Sequence, residues 1–271
     1  MRRLGFAVAC LLALCCMATA CGNSRKSAAS STTTSSATMS SSTTTTAPSR
    51  SWSIVALGDS VPRGTNCSCT PYPELTAGGL TSSTGQKVTA SNGSVAGYTS
   101  SNVLHQLESD SSVIEYTRMA DAVEIEVGAN DVAYSSACGT AVDCYAPKVP
   151  SIEKNLAAIV SRVHELTAGH KVLVVLLDYW SVWLGGQYAA AHGQAYVAAA
   201  EEMTDRVDAV IKSTAARSGS AYVDLRAAFK GPSYSYDETH YLSNDGDHPN
   251  AAGHQQIAKA TQEVIEKTLH I

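Results

Sequence analysis

Ser53-Ile54-Val55-Ala56-Leu57-Gly58-Asp59-Ser60 is the stretch whose reading decides the fold. Ile54 to Leu57 form a continuous apolar run, the pattern of a parallel strand covered on both faces. Gly58 ends the run, because glycine accepts the backbone angles of a sharp turn. In open parallel α/β sheets, ligands bind just past the carboxyl ends of the strands. The Ser60 hydroxyl therefore stands where chemistry is expected. Gly, Asp and Ser are also ordinary turn residues, so the weight of this triplet depends on the partners the rest of the chain supplies.

Working outward, strands and helices alternate. Val61 to Pro73 is a loop broken by Pro62, Gly64, Pro71 and Pro73, and Glu74 to Leu80 follows as a short helix. Lys87 to Ser91 reads as a second strand, running into a glycine-containing turn through Gly97. A helix through Leu104 and Leu107 comes next. Ala122 to Val127 is a third strand that ends at Gly128-Ala129-Asn130-Asp131. Ser151 is placed to cap a helix. Ile152, Leu156, Ile159, Val163 and Leu166 form its apolar face, and Gly169 stops it. Lys171 to Leu177 is the most apolar strand. A long helix spans about Gln194 to Ala216, Ala221 to Leu225 is a fifth strand, and a last helix covers about Ala251 to Leu269. This alternation implies βαβ crossovers, and hence a parallel sheet with helices on both faces.

A serine hydroxyl becomes a useful nucleophile when a base takes its proton and a third group orients the base. Asp245-Gly246-Asp247-His248-Pro249 offers both groups in one loop before the last helix. A turn through Gly246 brings the Asp245 carboxylate to one ring nitrogen of His248, leaving the other nitrogen to face Ser60. Asp247 is adjacent to His248, so its side chain diverges, and it is assigned a surface or turn role. Asp59 is assigned the bracing of its own turn through backbone hydrogen bonds. Acyl transfer also needs donors for the developing oxyanion. The Ser60 N–H, the Gly97 N–H and the Asn130 side-chain amide are available at strand ends.

These pieces, Gly58-Asp59-Ser60, the glycine of Ala96-Gly97-Tyr98-Thr99, Gly128-Ala129-Asn130-Asp131 and Asp245-Gly246-Asp247-His248-Pro249, resemble the four sequence blocks of the SGNH/GDSL hydrolases in order and spacing. The resemblance runs from about Ser53 to the C-terminus. It implies a flavodoxin-like three-layer α/β/α fold with a central parallel sheet of about five strands. It also implies Ser60 as nucleophile, His248 as base, Asp245 as its partner, and Ser60, Gly97 and Asn130 as oxyanion hole. The third block carries Ala129 where a glycine is common, and the cysteine-bearing loop after Ser60 is not general to the family. The implied activity is hydrolysis of carboxylic esters through an acyl-enzyme, with acyl esters of lipids or small molecules favoured. The alternatives are removal of acetyl groups from a carbohydrate, or a non-catalytic surface binding protein on the same fold. No cofactor is implied, and the expected partner of the monomeric chain is the ester substrate.

The N-terminus carries the compartment. Arg2 and Arg3 precede an apolar stretch from Leu4 to Met17, which is too short for a comfortable membrane span. Residues 1–20 read as a signal peptide of lipoprotein type, with Cys21 as the lipidated first mature residue. The alternative is ordinary secretion with cleavage near Ala20. Residues 22–51 are dominated by Ser, Thr and Ala and are expected to be a disordered tether. Residues 52–271 are the hydrolase domain. The chain has 19 basic and 24 acidic residues. Five of the basic residues lie before Ser51 and none of the acidic ones does, so the domain carries 14 against 24. A domain so acidic, without basic clusters, is a poor nucleic-acid binder.

Of eight cysteines, Cys67, Cys69, Cys138 and Cys144 belong to the domain. An even number in an exported protein points to two disulfides. Cys138–Cys144 closes a short loop naturally, Cys67–Cys69 is a tight ring, and cross-bridging of the two loops is the alternative. No metal is expected at the cysteines or at Asp237, Glu238 and His240. His105, His164, His170, His192, His254 and His270 are read as surface or helix-face residues. Tyr179, Trp180, Trp183 and Tyr188 follow the fourth strand, either as loop packing or as a substrate rim.

Overall fold

The computed structural model describes residues 51–271. The expected signal peptide of residues 1–20, the expected lipid anchor Cys21 and all but Ser51 of the expected tether lie outside the described residues. Five strands, β1 (Trp52–Gly58), β2 (Val88–Asn92), β3 (Ala122–Glu126), β4 (Leu173–Leu177) and β5 (Ala221–Val223), make one sheet in the order β2-β1-β3-β4-β5, and every pairing is parallel. Register pairs Ile54 with Ala90 on one side and with Ala122 on the other. Parallel neighbours need a crossover between them. The helices within those crossovers are α1 (Ser60–Arg63), α2 (Tyr72–Thr84), α3 (Ser100–Ser109), α4 (Ser111–Met119), α5 (Val142–Tyr145), α6 (Val149–Leu166), α7 (Gly186–Ala191) and α8 (Gln194–Ser218), and α9 (Leu225–Lys230) and α10 (Ala251–Leu269) follow the last strand. α2 packs on α10 against one face of the sheet, while α3, α6 and α8 pack side by side against the other. The result is the three-layer α/β/α arrangement read from the sequence.

The strand order puts β1 and β3 at the centre, with a helix layer on each side. Ile54, Val55, Ala56 and Leu57 are all buried, which is why that run lacks any polar alternation. β3 is buried along its whole length, including Glu124 and Glu126, neither of which reaches solvent. Its Val123 and Ile125 alternate with the two glutamates, but neither face of the strand is wet.

Local chemistry sets the helix starts. Thr99 and Asn102 form a reciprocal capping box at α3. Asn250 accepts from the Ala252 and Gly253 amides at α10. Several bounds differ from the sequence reading. α2 starts two residues earlier, because Pro73 tolerates the first helical turn, and runs on to Thr84. α6 starts at Val149 with Pro150 in its first turn, so Ser151 is inside the helix, and it ends at Leu166, before Gly169. β5 stops at Val223, since Asp224 turns the chain and accepts from the Ala227 amide to cap α9. β4 begins at Leu173, not Lys171. The short helices α4, α7 and α9 have too few turns to show an apolar period.

Candidate active site

Ser60 opens α1 directly after β1, and Asp59 is the N-cap residue. Asp59 Oδ1 accepts from the Val61 amide at 3.0 Å, and its Oδ2 accepts from the Tyr179 hydroxyl at 2.6 Å. Asp59 thus braces the turn through a backbone hydrogen bond, and it is also tied to the residue that follows β4. Gly58 makes the turn possible. Its φ is 156°, and a Cβ there would overlap the Glu126 carbonyl oxygen on β3. Burial pushes the Asp59 carboxyl up to about 6, against the lowering effect of its Tyr179 and Val61 hydrogen bonds.

His248 and Asp245 sit in the loop before α10, which an antiparallel bridge between Leu242 and Pro249 closes at its base. Gly246 adopts φ 73° under the Tyr188 ring, and this left-handed turn folds Asp245 back over His248. Asp245 Oδ2 lies 2.7 Å from His248 Nδ1, while Oδ1 accepts from the Asp247 and His248 amides at 3.1 Å each. The same Oδ2 accepts from the Asn66 side-chain amide at 2.5 Å. Partial burial works against ionisation here, but the hydrogen bonds from Asn66 and His248 outweigh it and hold Asp245 down at about 2.

Ser60, Asn130 and His248 line one pocket of about 330 Å³. Asn130 sits on a 3-10 turn (Ala129–Val132) at the end of β3 and donates from Nδ2 to the Tyr98 carbonyl at 3.1 Å. Its neighbour Asp131 accepts from the Ser100 amide and hydroxyl, at 2.8 and 2.6 Å. The Gly97 loop and the Asn130 turn are therefore held together by two adjacent side chains. Gly97 itself is exposed, with φ 83°, in open space and outside the pocket wall. Asp247 does not simply diverge. It lines the pocket mouth beside His248, with Oδ2 4.0 Å from Nδ1.

The rest of the wall is aromatic and apolar. Tyr179, Trp180 and Trp183 are buried and line the pocket, so they are loop packing that also forms part of its wall. Trp183 donates from Nε1 to the Val132 carbonyl and meets Tyr134 and Tyr145 edge-on. Tyr188 lies outside this wall, against Gly246. The sequence reading missed Tyr134, Tyr196 and His192, which complete the pocket. Tyr196 belongs to the first turns of α8, and its hydroxyl accepts from the Leu184 amide. Its position one residue before Val197 on that helix was the available signal.

The cysteines pair within their own loops, Cys67 with Cys69 and Cys138 with Cys144, and the cross-bridged alternative is excluded. His254 is a correction, since it is fully buried on α10 rather than on a helix surface. Its Nδ1 accepts from the Tyr72 amide at 3.3 Å, and burial lowers it to about 4. His192, although exposed, faces the pocket. Glu238 is buried against Lys230 and the Gly186 amide, and Asp237 accepts from Thr239 and Gln187, so these carboxylates serve internal hydrogen bonds.

Among solved structures, the lipase Lip_vut3 from a goat rumen metagenome superposes with a TM-score of 0.61 at 19% identity, covering 79% of this chain and 97% of that one. TesA superposes with a TM-score of 0.55 at 18% identity, covering 79% and 98%. Axe2, an acetylxylan esterase from Geobacillus stearothermophilus, does so with 0.57 at 20% identity, covering 79% and 94%. Identities this low establish the shared fold. No curated protein sequence matches the chain. The model of the GDSL-like lipase/acylhydrolase family matches residues 56–256, a span that contains Ser60, Gly97, Asn130, Asp245 and His248. With that match over most of its length, the chain belongs to the GDSL-like lipase/acylhydrolase family and is a serine ester hydrolase.

Proposed function

We propose that Ser60 attacks the ester carbonyl, that His248 takes the serine proton and returns it to the leaving alcohol, and that Asp245 holds the imidazole in the required tautomer. The observation that carries this reading is the 2.7 Å approach of Asp245 Oδ2 to His248 Nδ1 in a loop whose histidine shares a pocket wall with Ser60. With the carboxylate accepting at Nδ1, the proton is on that nitrogen and Nε2 is the basic one. The Ser60 amide and the second Asn130 Nδ2 proton stabilise the oxyanion from the pocket wall, and the Gly97 amide joins them from the adjoining loop that the Asn130 and Asp131 side chains hold against that wall. Asn130 spends its first proton on the Tyr98 carbonyl, which fixes the direction of the second. Water then resolves the acyl-enzyme by the reverse proton route.

The acyl group enters the wall of Tyr134, Trp183, Leu184 and Tyr196. A mostly apolar pocket of about 330 Å³ is at the small end for ligand sites, and it favours acyl chains of modest length. A fluorophosphonate probe is expected to label the wild-type protein and not Ser60→Ala. No labelling of folded wild-type protein would favour a non-catalytic binding protein instead. Chain-length profiling on aryl esters is expected to peak at short to medium acyl groups. Activity confined to acetylated sugars would move the substrate to carbohydrate.

We further infer an exported chain in which residues 1–20 direct export, Cys21 carries lipid, and residues 22–51 tether the domain of residues 52–271. The two intrachain disulfides support an oxidising compartment. Among the described residues no helix is long and apolar enough to cross a membrane. Incorporation of labelled palmitate that Cys21→Ser abolishes is the expected result. Since one chain supplies every proposed site residue, the working unit is inferred to be a monomer.

A further inference from the structure

The loop between α1 and α2 holds Thr65-Asn66-Cys67-Ser68-Cys69, and it reaches across to the loop that bears Asp245 and His248. Asn66 Nδ2 donates to Asp245 Oδ2 at 2.5 Å, and the Asn66 carbonyl accepts from Ser243 Oγ at 3.3 Å. These two bonds span 179 and 177 residues of sequence. Asp245 Oδ2 is also the atom that meets His248 Nδ1. The carboxylate therefore has four donors: two backbone amides on Oδ1, and Asn66 and His248 on Oδ2.

We propose that Asn66 is a positioning residue for the Asp245–His248 pair, a role that rests on the catalytic reading above. The two amides on Oδ1 come from the same tight turn and fix one edge of the carboxylate. They leave it free to rock about that edge. The Asn66 amide, coming from a different loop, fixes the second edge and sets the direction in which Oδ2 faces the imidazole. Asn66 is exposed, so a flexible side chain there would be an ineffective clamp. The loop removes that freedom in three ways. Asn66 and Ser68 hold left-handed backbone angles, with φ of 59° and 52°. The Cys67–Cys69 disulfide closes the loop directly after Asn66. The two sulfurs and a ring nitrogen of buried His254 lie within 4.8 Å of one another, which seats the loop on α10.

The experiment must separate the amide from the backbone angle, since Asn is also chosen for left-handed positions. Asn66→Gly keeps the angle and deletes the donor. Its kcat on an aryl ester is expected to fall about tenfold, with KM unchanged, because one hydrogen bond to a charged group is lost. Asn66→Asp keeps the shape and the tolerance for that angle but sets a second carboxylate against Asp245. It is expected to lose more, and to move the acidic limb of its kcat–pH profile upward as the two carboxylates share a proton. Both variants are expected to keep the wild-type melting temperature within a few degrees. A wild-type kcat in Asn66→Gly would overturn the proposal, since the side chain would then serve only the turn. Fluorophosphonate labelling of the wild type keeps the two questions apart: a labelled serine with an unaffected Asn66→Gly sinks the positioning role alone.

Discussion

The Tyr179 hydroxyl donates to Asp59 Oδ2 from the far side of β3, so the turn that presents Ser60 is held from the end of β4. Asp59 is buried, and among the described residues its carboxylate accepts that bond and the one from the Val61 amide. Tyr179→Phe is expected to leave this carboxyl half-satisfied and to cost about 1–3 kcal/mol. Thermal melting at fixed pH checks it, and an unchanged midpoint would mean that Asp59 finds another donor. Asn130 is the opposite kind of residue, because its loss removes a donor without exposing a buried charge. Asn130→Ala is expected to lower kcat by about 10²–10³, and an unchanged rate would remove Asn130 from the oxyanion hole. At this scale much was legible. Ser60, Asn130, Asp245 and His248 were picked out from residue type and from their places at strand ends, and the fold brings Ser60, Asn130 and His248 to one pocket with Asp245 against His248. Asn66 and Tyr179 were not, because nothing in a loop asparagine or a post-strand tyrosine states which distant carboxylate it will meet.

Elements build the pocket. The pocket wall is built from the Asn130 turn, the segment between β4 and α7, and the start of α8. Tyr134 stands at its rim, 44% exposed, against Trp183 and Tyr196. Tyr134→Ala is expected to raise KM for the longer acyl esters by several-fold while moving the melting temperature little, since little of that ring's burial is lost. Equal KM values across chain lengths would place the acyl group elsewhere. β3 shows why an element's environment is hard to read locally. Alternating glutamate and aliphatic residues describe a strand well enough, but not one covered on both faces. Glu124 lies near Glu74, and Glu126 near Tyr72, both on α2. Burial pushes both carboxyls well above the ordinary glutamate value. Which helix lies over a strand is a property of the crossovers, not of the strand.

For the whole molecule, those buried acids decide how stability responds to pH. A carboxyl whose folded value is raised binds more protons in the folded state, so its contribution is complete at low pH and is lost as pH rises through the folded value. Glu124, Glu126, Asp59 and Asp178 all act in that sense, with Asp59 at about 6 and Asp178 at about 7. His254, lowered to about 4, acts the other way between about 4 and 6.5, and it has nothing further to add above that. Asp245, held at about 2, matters only in strong acid. The Asp59 and Asp178 contributions are lost as pH passes about 7, so a fall in melting temperature above pH 7 belongs to Glu124 and Glu126 and is expected at about 2–4 °C for each kcal/mol lost. Glu124→Gln with Glu126→Gln should flatten that decline. A wild-type midpoint that is level or rising over this range would show that the glutamates are already ionised.

By itself, the sequence determined the class of the fold, the order of its five strands and longer helices, and which polar residues stand at the strand ends. Apolar runs, helical spacing and the placement of glycine act over a few residues, and a few residues are enough to state them. The three-layer sheet and the family membership both follow that local reading. Only the tertiary structure decided that β3 lies between two helix layers, which makes Glu124 and Glu126 buried rather than wet. The same packing brought Tyr134, Trp183 and Tyr196 into one wall and carried Asn66 to Asp245 across 179 residues. Those relations depend on which surfaces meet when the helices pack onto the sheet, and that is settled by burial over the whole chain rather than by any stretch of it.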